Sequence, residues 1–300
     1  MHRTNQWARF SLMVIGFFLV LTLLAGCQTT ANQAKGKLQV VAAEDFYGEV
    51  AQAVGGRYVH VTSVINRPNM DPHDYEPTTA TARAVSAAQL VIYNGIGYDD
   101  WMTNLVATNQ RKKTVIRVGE DLLGKKEGAN EHLWYRPQTM PVLARALARH
   151  YAALDSKHAA YFKQNAASVI ASLQAIQRKV DKLRGKADGK KVDVSEPVFD
   201  YMLRALGYTV TNNHFELAVE HETDPSPQDI SAMQKAIRSH KIAFFVSNIQ
   251  EISPTVKKMM TLANAYHVPV VKVTETLPKG KNYKTWMLDQ LSQIEAIQNQ

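Results

Sequence analysis

Short apolar segments alternate with helical segments along most of this 300-residue chain. This alternation restricts the fold more than any other feature, since it is typical of a mostly parallel sheet covered by helices. Strands are predicted at residues 38–43, 58–65, 90–93, 114–118, 191–195, 208–211, 242–246 and 268–274.

One long helix, predicted over residues 155–184, interrupts the alternation and divides it into two halves. Its apolar residues recur at steps of three and four, which places them on one helical face. A helix of this length spans about 43 Å. A coiled-coil partner helix is the alternative, but the apolar face is not sustained in heptads. We therefore predict an α/β fold of two lobes, each a mostly parallel sheet flanked by helices, bridged by one long rigid helix. The N-terminal lobe covers residues 38–154 and the C-terminal lobe residues 185–300.

The N-terminus has the pattern of a lipoprotein signal peptide over residues 1–26. Basic residues precede an apolar run over 10–24, and Leu-Ala-Gly-Cys ends at Cys27, as in the bacterial lipobox. A plain membrane anchor with an incidental cysteine is the alternative. Residues 28–37 are polar and, with a lipidated Cys27, predict a flexible tether. We expect lipid anchoring at the extracytoplasmic face of the cell membrane.

The charge of the chain without its first 26 residues is +6, from 33 basic and 27 acidic residues. A positive anchored protein suits an anionic envelope surface. No helical segment combines clustered basic residues with interleaved aromatic residues, so a nucleic-acid partner is not expected.

A proline-bracketed histidine follows the second predicted strand. Pro72 and Pro77 flank His73, and each proline fixes its own φ and restricts the residue before it. The predicted result is a stiff loop that holds one imidazole in a set direction. A solvated surface histidine is the alternative interpretation.

Three more side chains with ligand chemistry follow predicted strands: His132, Glu196 and Glu275. Together with His73 they would meet across a cleft between the lobes. The set carries two negative charges, and its nitrogen and oxygen donors suit zinc, manganese or ferrous iron. Each residue also has a simpler interpretation: His132 and Glu275 as solvated groups, Glu196 as a helix-terminal acid.

A second metal site is a further possibility, formed by His214 and the sequence Glu220-His221-Glu222. Hydrated surface acids are the alternative. Neither a His-Glu-x-x-His pattern nor a Gly-x-Ser-x-Gly elbow occurs in the sequence.

Residues 71–78, Asp-Pro-His-Asp-Tyr-Glu-Pro-Thr, resemble the first metal motif of the bacterial zinc/manganese ABC-transporter substrate-binding lipoproteins. The resemblance covers nearly the whole chain after the signal peptide. It implies two α/β lobes bridged by a rigid helix, one divalent metal ion (Mn²⁺ or Zn²⁺) bound as cargo in the cleft, and an ABC permease with its ATPase subunits as partners. It also implies that His73, His132, Glu196 and Glu275 are the metal ligands.

The chain departs from the family pattern in three places. Glu131 precedes His132 where the family usually has proline, Arg136 stands where an acid often follows, and Glu275 stands where the family generally has aspartate. Glu196 matches manganese importers, and no histidine lies between His73 and His132, where many zinc importers carry a histidine-rich loop. These features favour manganese, although zinc intrinsically binds such donors more tightly.

Three functions are compatible with such a site. The expected one is a monomeric, non-enzymatic binding protein for an importer, in which the long helix limits release to a small motion. A metallohydrolase would need an open coordination position and a general base. A surface attachment protein would use metal only for stability.

Overall fold

A computed structural model of the protein describes residues 36–68, 70, 72–109 and 111–300. The predicted signal peptide, Cys27 and residues 28–35 of the predicted tether lie outside this part. In the part of the chain that the structure describes, no helix combines the length and the apolar character needed to span a bilayer.

Two four-stranded parallel sheets form the framework, with strand orders β2-β1-β3-β4 and β6-β5-β7-β8. Both sheets therefore have the same topology, although the sequence shows no internal repeat. The strands are β1 (Leu38–Glu44), β2 (Val59–Ile65), β3 (Leu90–Tyr93), β4 (Thr114–Arg117), β5 (Lys191–Val194), β6 (Thr209–Val210), β7 (Phe245–Asn248) and β8 (Val270–Val273).

Helices connect and cover the strands, as the alternation predicts. The α-helices are α1 (Asp45–Gly55), α2 (Thr79–Ala87), α3 (Asp100–Ala107), α4 (Thr139–Leu154), α5 (Ala159–Arg184), α6 (Asp200–Leu206), α7 (Asn213–Glu220), α8 (Pro227–Arg238), α9 (Pro254–Ala265) and α10 (Tyr283–Gln298). Shorter helical turns are Gly56–Tyr58, Val118–Leu122, Leu133–Tyr135, Ser156–His158 and Pro197–Phe199. The predicted α/β fold, with two parallel sheets and one long helix, is confirmed.

Three elements differ from the prediction. The long helix begins at Ala159 rather than at residue 155, because Asp155 is non-helical (φ −143°) and a 3₁₀ turn follows it. Helix α7 was not predicted. Strand β7 begins at Phe245, whereas Ile242 is buried before the strand starts, so its apolar character reflects burial rather than pairing.

Helix α5 packs on both halves of the molecule: against α1 and α4 on one side and against α6 and α10 on the other. One continuous cluster of buried residues runs through it, from Val40 of β1 and Phe46 of α1 to Val273 of β8 and Trp286 of α10. The lobes thus share a core as well as a connecting helix. Because packed cores resist deformation, this arrangement favours a fixed relation between the two sheets.

Two helices after residue 185 begin at a capping serine: α8 at Ser226 and α9 at Ser253. Ser253 Oγ accepts a hydrogen bond from Val256 N (3.2 Å), and Pro254 occupies the first position of α9. Replacing Ser253 with alanine leaves that donor without its cap and is expected to lower the free energy of unfolding by about 1 kcal/mol. Ser239→Ala is the matched control, since the Ser239 hydroxyl only bonds the carbonyl of Lys235 in the preceding turn. Urea unfolding measures both, and equal stabilities would contradict the capping role.

Candidate metal centre

Loops at the carboxyl ends of strands from both sheets surround one cavity of about 440 Å³. His73 comes from the loop after β2, Glu196 follows β5, and Glu275 follows β8. Parallel sheets present their loops in this way at one edge, which is where ligands bind in open α/β folds. Three of the four predicted ligands therefore line one cavity.

The His73 loop is held in place by an aromatic pair. The carbonyl of Pro72 accepts a hydrogen bond from Trp101 Nε1 (3.1 Å), and the Tyr75 ring packs edge-on against Trp101 at 4.7 Å between centroids. His73 Nε2 lies 3.9 Å from Glu275 Oε1 across the cleft. Trp101 thus gives this loop contacts that the two prolines alone did not predict.

His132 is fully buried beside the cavity. Its Nδ1 lies 3.0 Å from Asn130 Oδ1, which favours the tautomer that donates this hydrogen bond and leaves Nε2 as an acceptor. Burial, with a smaller effect of His73, lowers the pKa of His132 to about 3. The imidazole is therefore neutral near pH 7, which is the form that binds metals.

Asn130 also joins His132 to the opposite side of the cleft. Its Nδ2 donates to the carbonyl of Pro197 (2.7 Å), and its own carbonyl accepts from Tyr201 (2.8 Å). Pro197 directly follows Glu196, whose Oε2 accepts a hydrogen bond from Asn248 Nδ2 (2.8 Å). The second and third predicted ligands are thus positioned by one connected network.

Glu275 is oriented from both lobes. Tyr98 donates to its Oε1 (2.9 Å), and its backbone N–H donates to Gln250 Oε1 (2.7 Å). Gln250 in turn donates to the carbonyl of Pro68 in the His73 loop (2.5 Å). Burial, followed by the charge of Glu275, raises the pKa of Tyr98 well above its ordinary value, so its hydroxyl remains a donor at neutral pH.

Two further carboxylates reach this site, and the sequence did not place them there. Ligand atoms of His73, Glu131 and Glu220 all lie within 4.8 Å of one another. Burial, then the neighbouring charges of Glu131, Glu275 and Glu196, raises the pKa of Glu220 to about 10. The concentration of acidic groups makes a bound cation electrostatically favourable.

The structure separates the residues of the possible second metal site. Glu220, His221 and Glu222 line the main cavity, whereas His214 lines a different cavity with Asp229, 4.0 Å away. His214 and Glu220 lie near opposite ends of helix α7, so the structure does not bring His214 together with the Glu220-His221-Glu222 group. The rule that ligands follow strands does not reach Glu220, because this residue ends helix α7 and lies ten residues beyond the last residue of β6.

Comparisons with known proteins agree with this architecture. Residues 40–297 match the family model of ZnuA, the periplasmic component A of a zinc-uptake complex. The iron ABC transporter substrate-binding lipoprotein MtsA of Streptococcus pyogenes serotype M1 is 26% identical, over 94% of this chain and 97% of MtsA. The manganese ABC transporter substrate-binding lipoprotein PsaA of Streptococcus mitis is 24% identical, over 93% of this chain and 95% of PsaA.

Solved structures show the same fold. The periplasmic zinc-binding protein TroA from Treponema pallidum superposes with a TM-score of 0.72 at 18% identity, covering 88% of this chain and 99% of TroA. A manganese-bound periplasmic metal-binding protein from Candidatus Liberibacter asiaticus gives 0.68 at 18% identity, covering 87% and 100%. With the family model matched over most of its length, the chain belongs to the ZnuA family of substrate-binding proteins.

Proposed function

We propose that this protein captures a divalent transition metal outside the cytoplasmic membrane and delivers it to an ABC importer. Its ligands would be His73, His132, Glu196 and Glu275. The observation that carries the proposal is the convergence of loops from both parallel sheets on one cleft that holds imidazole and carboxylate donors. Membership of the ZnuA family supports the same conclusion.

The cargo is proposed to be Mn²⁺ or Zn²⁺. Relatives are named for iron and for manganese, and the family for zinc, so the comparisons favour no single metal. The donors here are two imidazoles and several carboxylates, with no thiolate among the described cavity residues. Carboxylates suit manganese, whereas imidazoles bind zinc and iron as well.

Release of the metal is proposed to need only a small displacement of the lobes or of one ligand. The continuous core beneath both sheets and the Asn130–Pro197 hydrogen bond oppose a wide hinge opening. The permease and its ATPase subunits are the proposed partners, and docking would supply the interactions that shift the ligands.

Attachment through a lipidated Cys27 would keep the protein close to that permease. The relatives MtsA and PsaA are named lipoproteins, which supports this part of the proposal. Residues 28–37 would then act as the flexible connection, allowing a monomeric protein to reach the permease while remaining anchored.

Metal uptake by cells tests the proposal. A strain without this gene should accumulate less radioactive Mn²⁺ or Zn²⁺, and the wild-type gene should restore uptake. His73→Ala should fail to restore it, because one proposed ligand is lost, whereas His60→Ala, an exposed histidine on β2, should restore it fully. Equal restoration by both variants, at equal protein levels, would contradict the proposed site.

A further inference from the structure

Glu220 ends helix α7 on the wall of the metal cavity. Its Oε1 lies 3.8 Å from His132 Nε2, and the two side chains are 10% and 0% exposed. Neither atom has a hydrogen-bond partner in the described part of the chain. A fully buried imidazole nitrogen and a nearly buried carboxylate oxygen thus face each other with no bond between them, and such groups are costly unless something binds both.

The helix holds Glu220 in this place by packing. Phe215 and Val219, four residues apart, are buried in an apolar cluster with Met233 of α8 and Phe245 of β7. The opposite face of α7 carries Leu217, which is 46% exposed. The end of α7 is therefore fixed on the C-terminal sheet, and the Glu220 carboxylate is brought to the cavity by the fold.

The separations suit ligands of a single ion. Metal–oxygen and metal–nitrogen bonds are about 2.0–2.2 Å long, so two donors on one ion lie about 3–4 Å apart. Glu220 is at 3.8 Å from His132 and within 4.8 Å of the ligand atom of His73. A small inward shift of these side chains would place all three around one cation.

We propose that Glu220 is an additional ligand of the cargo metal and favours manganese over zinc. This inference rests on the proposed function of the cleft. With Glu220, the donor set becomes two imidazoles and three carboxylates. Five protein donors exceed the four of a tetrahedral zinc site, whereas Mn²⁺ accepts higher coordination numbers and prefers oxygen ligands. Glu220 would release its proton when the ion binds, and the resulting carboxylate would offset more of the charge of the ion.

Glu220→Gln tests the proposal, with Glu127→Gln as the matched control. Both variants make the same change from a carboxyl to an amide group, but Glu127 is exposed and is not among the described residues that line the cavity. Competition titrations with a chromophoric chelator should show Mn²⁺ affinity reduced about tenfold to a hundredfold in Glu220→Gln. The reduction in Zn²⁺ affinity should be at least about fivefold smaller than the reduction in Mn²⁺ affinity, and Glu127→Gln should change either affinity less than about threefold.

Cobalt(II) substitution provides a second measurement. The visible absorption of Co²⁺ becomes more intense when its coordination number falls to four, so Glu220→Gln should raise the intensity above that of the wild type. Glu220→Ala removes any residual amide oxygen ligand and should do the same. Urea unfolding of the chelated proteins checks that each variant is folded.

Equal Mn²⁺ affinities for Glu220→Gln and Glu127→Gln, with Co²⁺ spectra like that of the wild type, would overturn the proposal for Glu220. The proposed function would fail differently: the wild type itself would bind neither Mn²⁺ nor Zn²⁺, or His73→Ala would bind as tightly as the wild type. The two failures are therefore distinguishable in one set of titrations.

Discussion

Replacing His132 with alanine is expected to lower the affinity of the protein for Mn²⁺ and Zn²⁺ by more than about a hundredfold. Even outer-shell partners of metal ligands contribute about tenfold to a hundredfold, and a direct ligand should contribute more. The effect should be large here because the imidazole is fully buried, held by Asn130 and neutral at pH 7, with a pKa near 3. Metal binding therefore requires little further ordering of the His132 side chain and no loss of a proton from its ring.

Isothermal titration with each metal measures this loss. His132→Gln provides a second variant of closer size, since alanine leaves a cavity at a buried position. His60→Ala is the control for loss of an exposed histidine. An affinity within a factor of about three of the wild type for both His132 variants would remove His132 from the proposed ligand set.

Trp134→Ala is expected to cost about 3–5 kcal/mol in free energy of unfolding of the metal-free protein. Trp134 is fully buried beneath the cleft, with ring centroids 4.8 Å from Phe46, 5.0 Å from Tyr98 and 5.2 Å from His132. Truncation would leave a large cavity among side chains that cannot all move in to fill it. It would also loosen Tyr98 and His132, and so weaken metal binding.

Trp134→Phe keeps an aromatic ring at this position but reduces the side-chain volume and removes the indole N–H. The indole Nε1 has no hydrogen-bond partner among the described residues, so phenylalanine removes no bond and should cost much less than alanine. Urea denaturation in the presence of a chelator measures both variants. A loss below about 1 kcal/mol for Trp134→Ala would contradict the role of this tryptophan as the packing centre beneath the site.

The parallel sheets were predictable because their strands are short, apolar and separated by helices with clear caps. Thr78 and Ser226 accept hydrogen bonds from backbone N–H groups at the starts of α2 and α8, as their sequences indicate. Helix α7 was missed because its eight residues include only two buried apolar side chains, Phe215 and Val219, too few for a clear period.

The candidate site was predictable in part, because loops after parallel strands meet at one edge. This rule brought together His73, Glu196 and Glu275. It did not predict Glu131 or Glu220 at the cavity, since their approach depends on how the two sheets pack against each other. Nor did it predict the Asn130–Pro197 hydrogen bond, which joins residues 67 positions apart. The ligand roles themselves stay predictions.

Metal stoichiometry of the chain from residue 28 to residue 300, determined by mass spectrometry and by titration with Mn²⁺ and Zn²⁺, tests the central claim most directly. We expect one equivalent bound, with that equivalent lost in His73→Ala and in Glu196→Ala while both variants remain folded. A wild-type protein that binds no metal, or variants that retain the full equivalent, would contradict the assignment of this cleft as a site for metal capture.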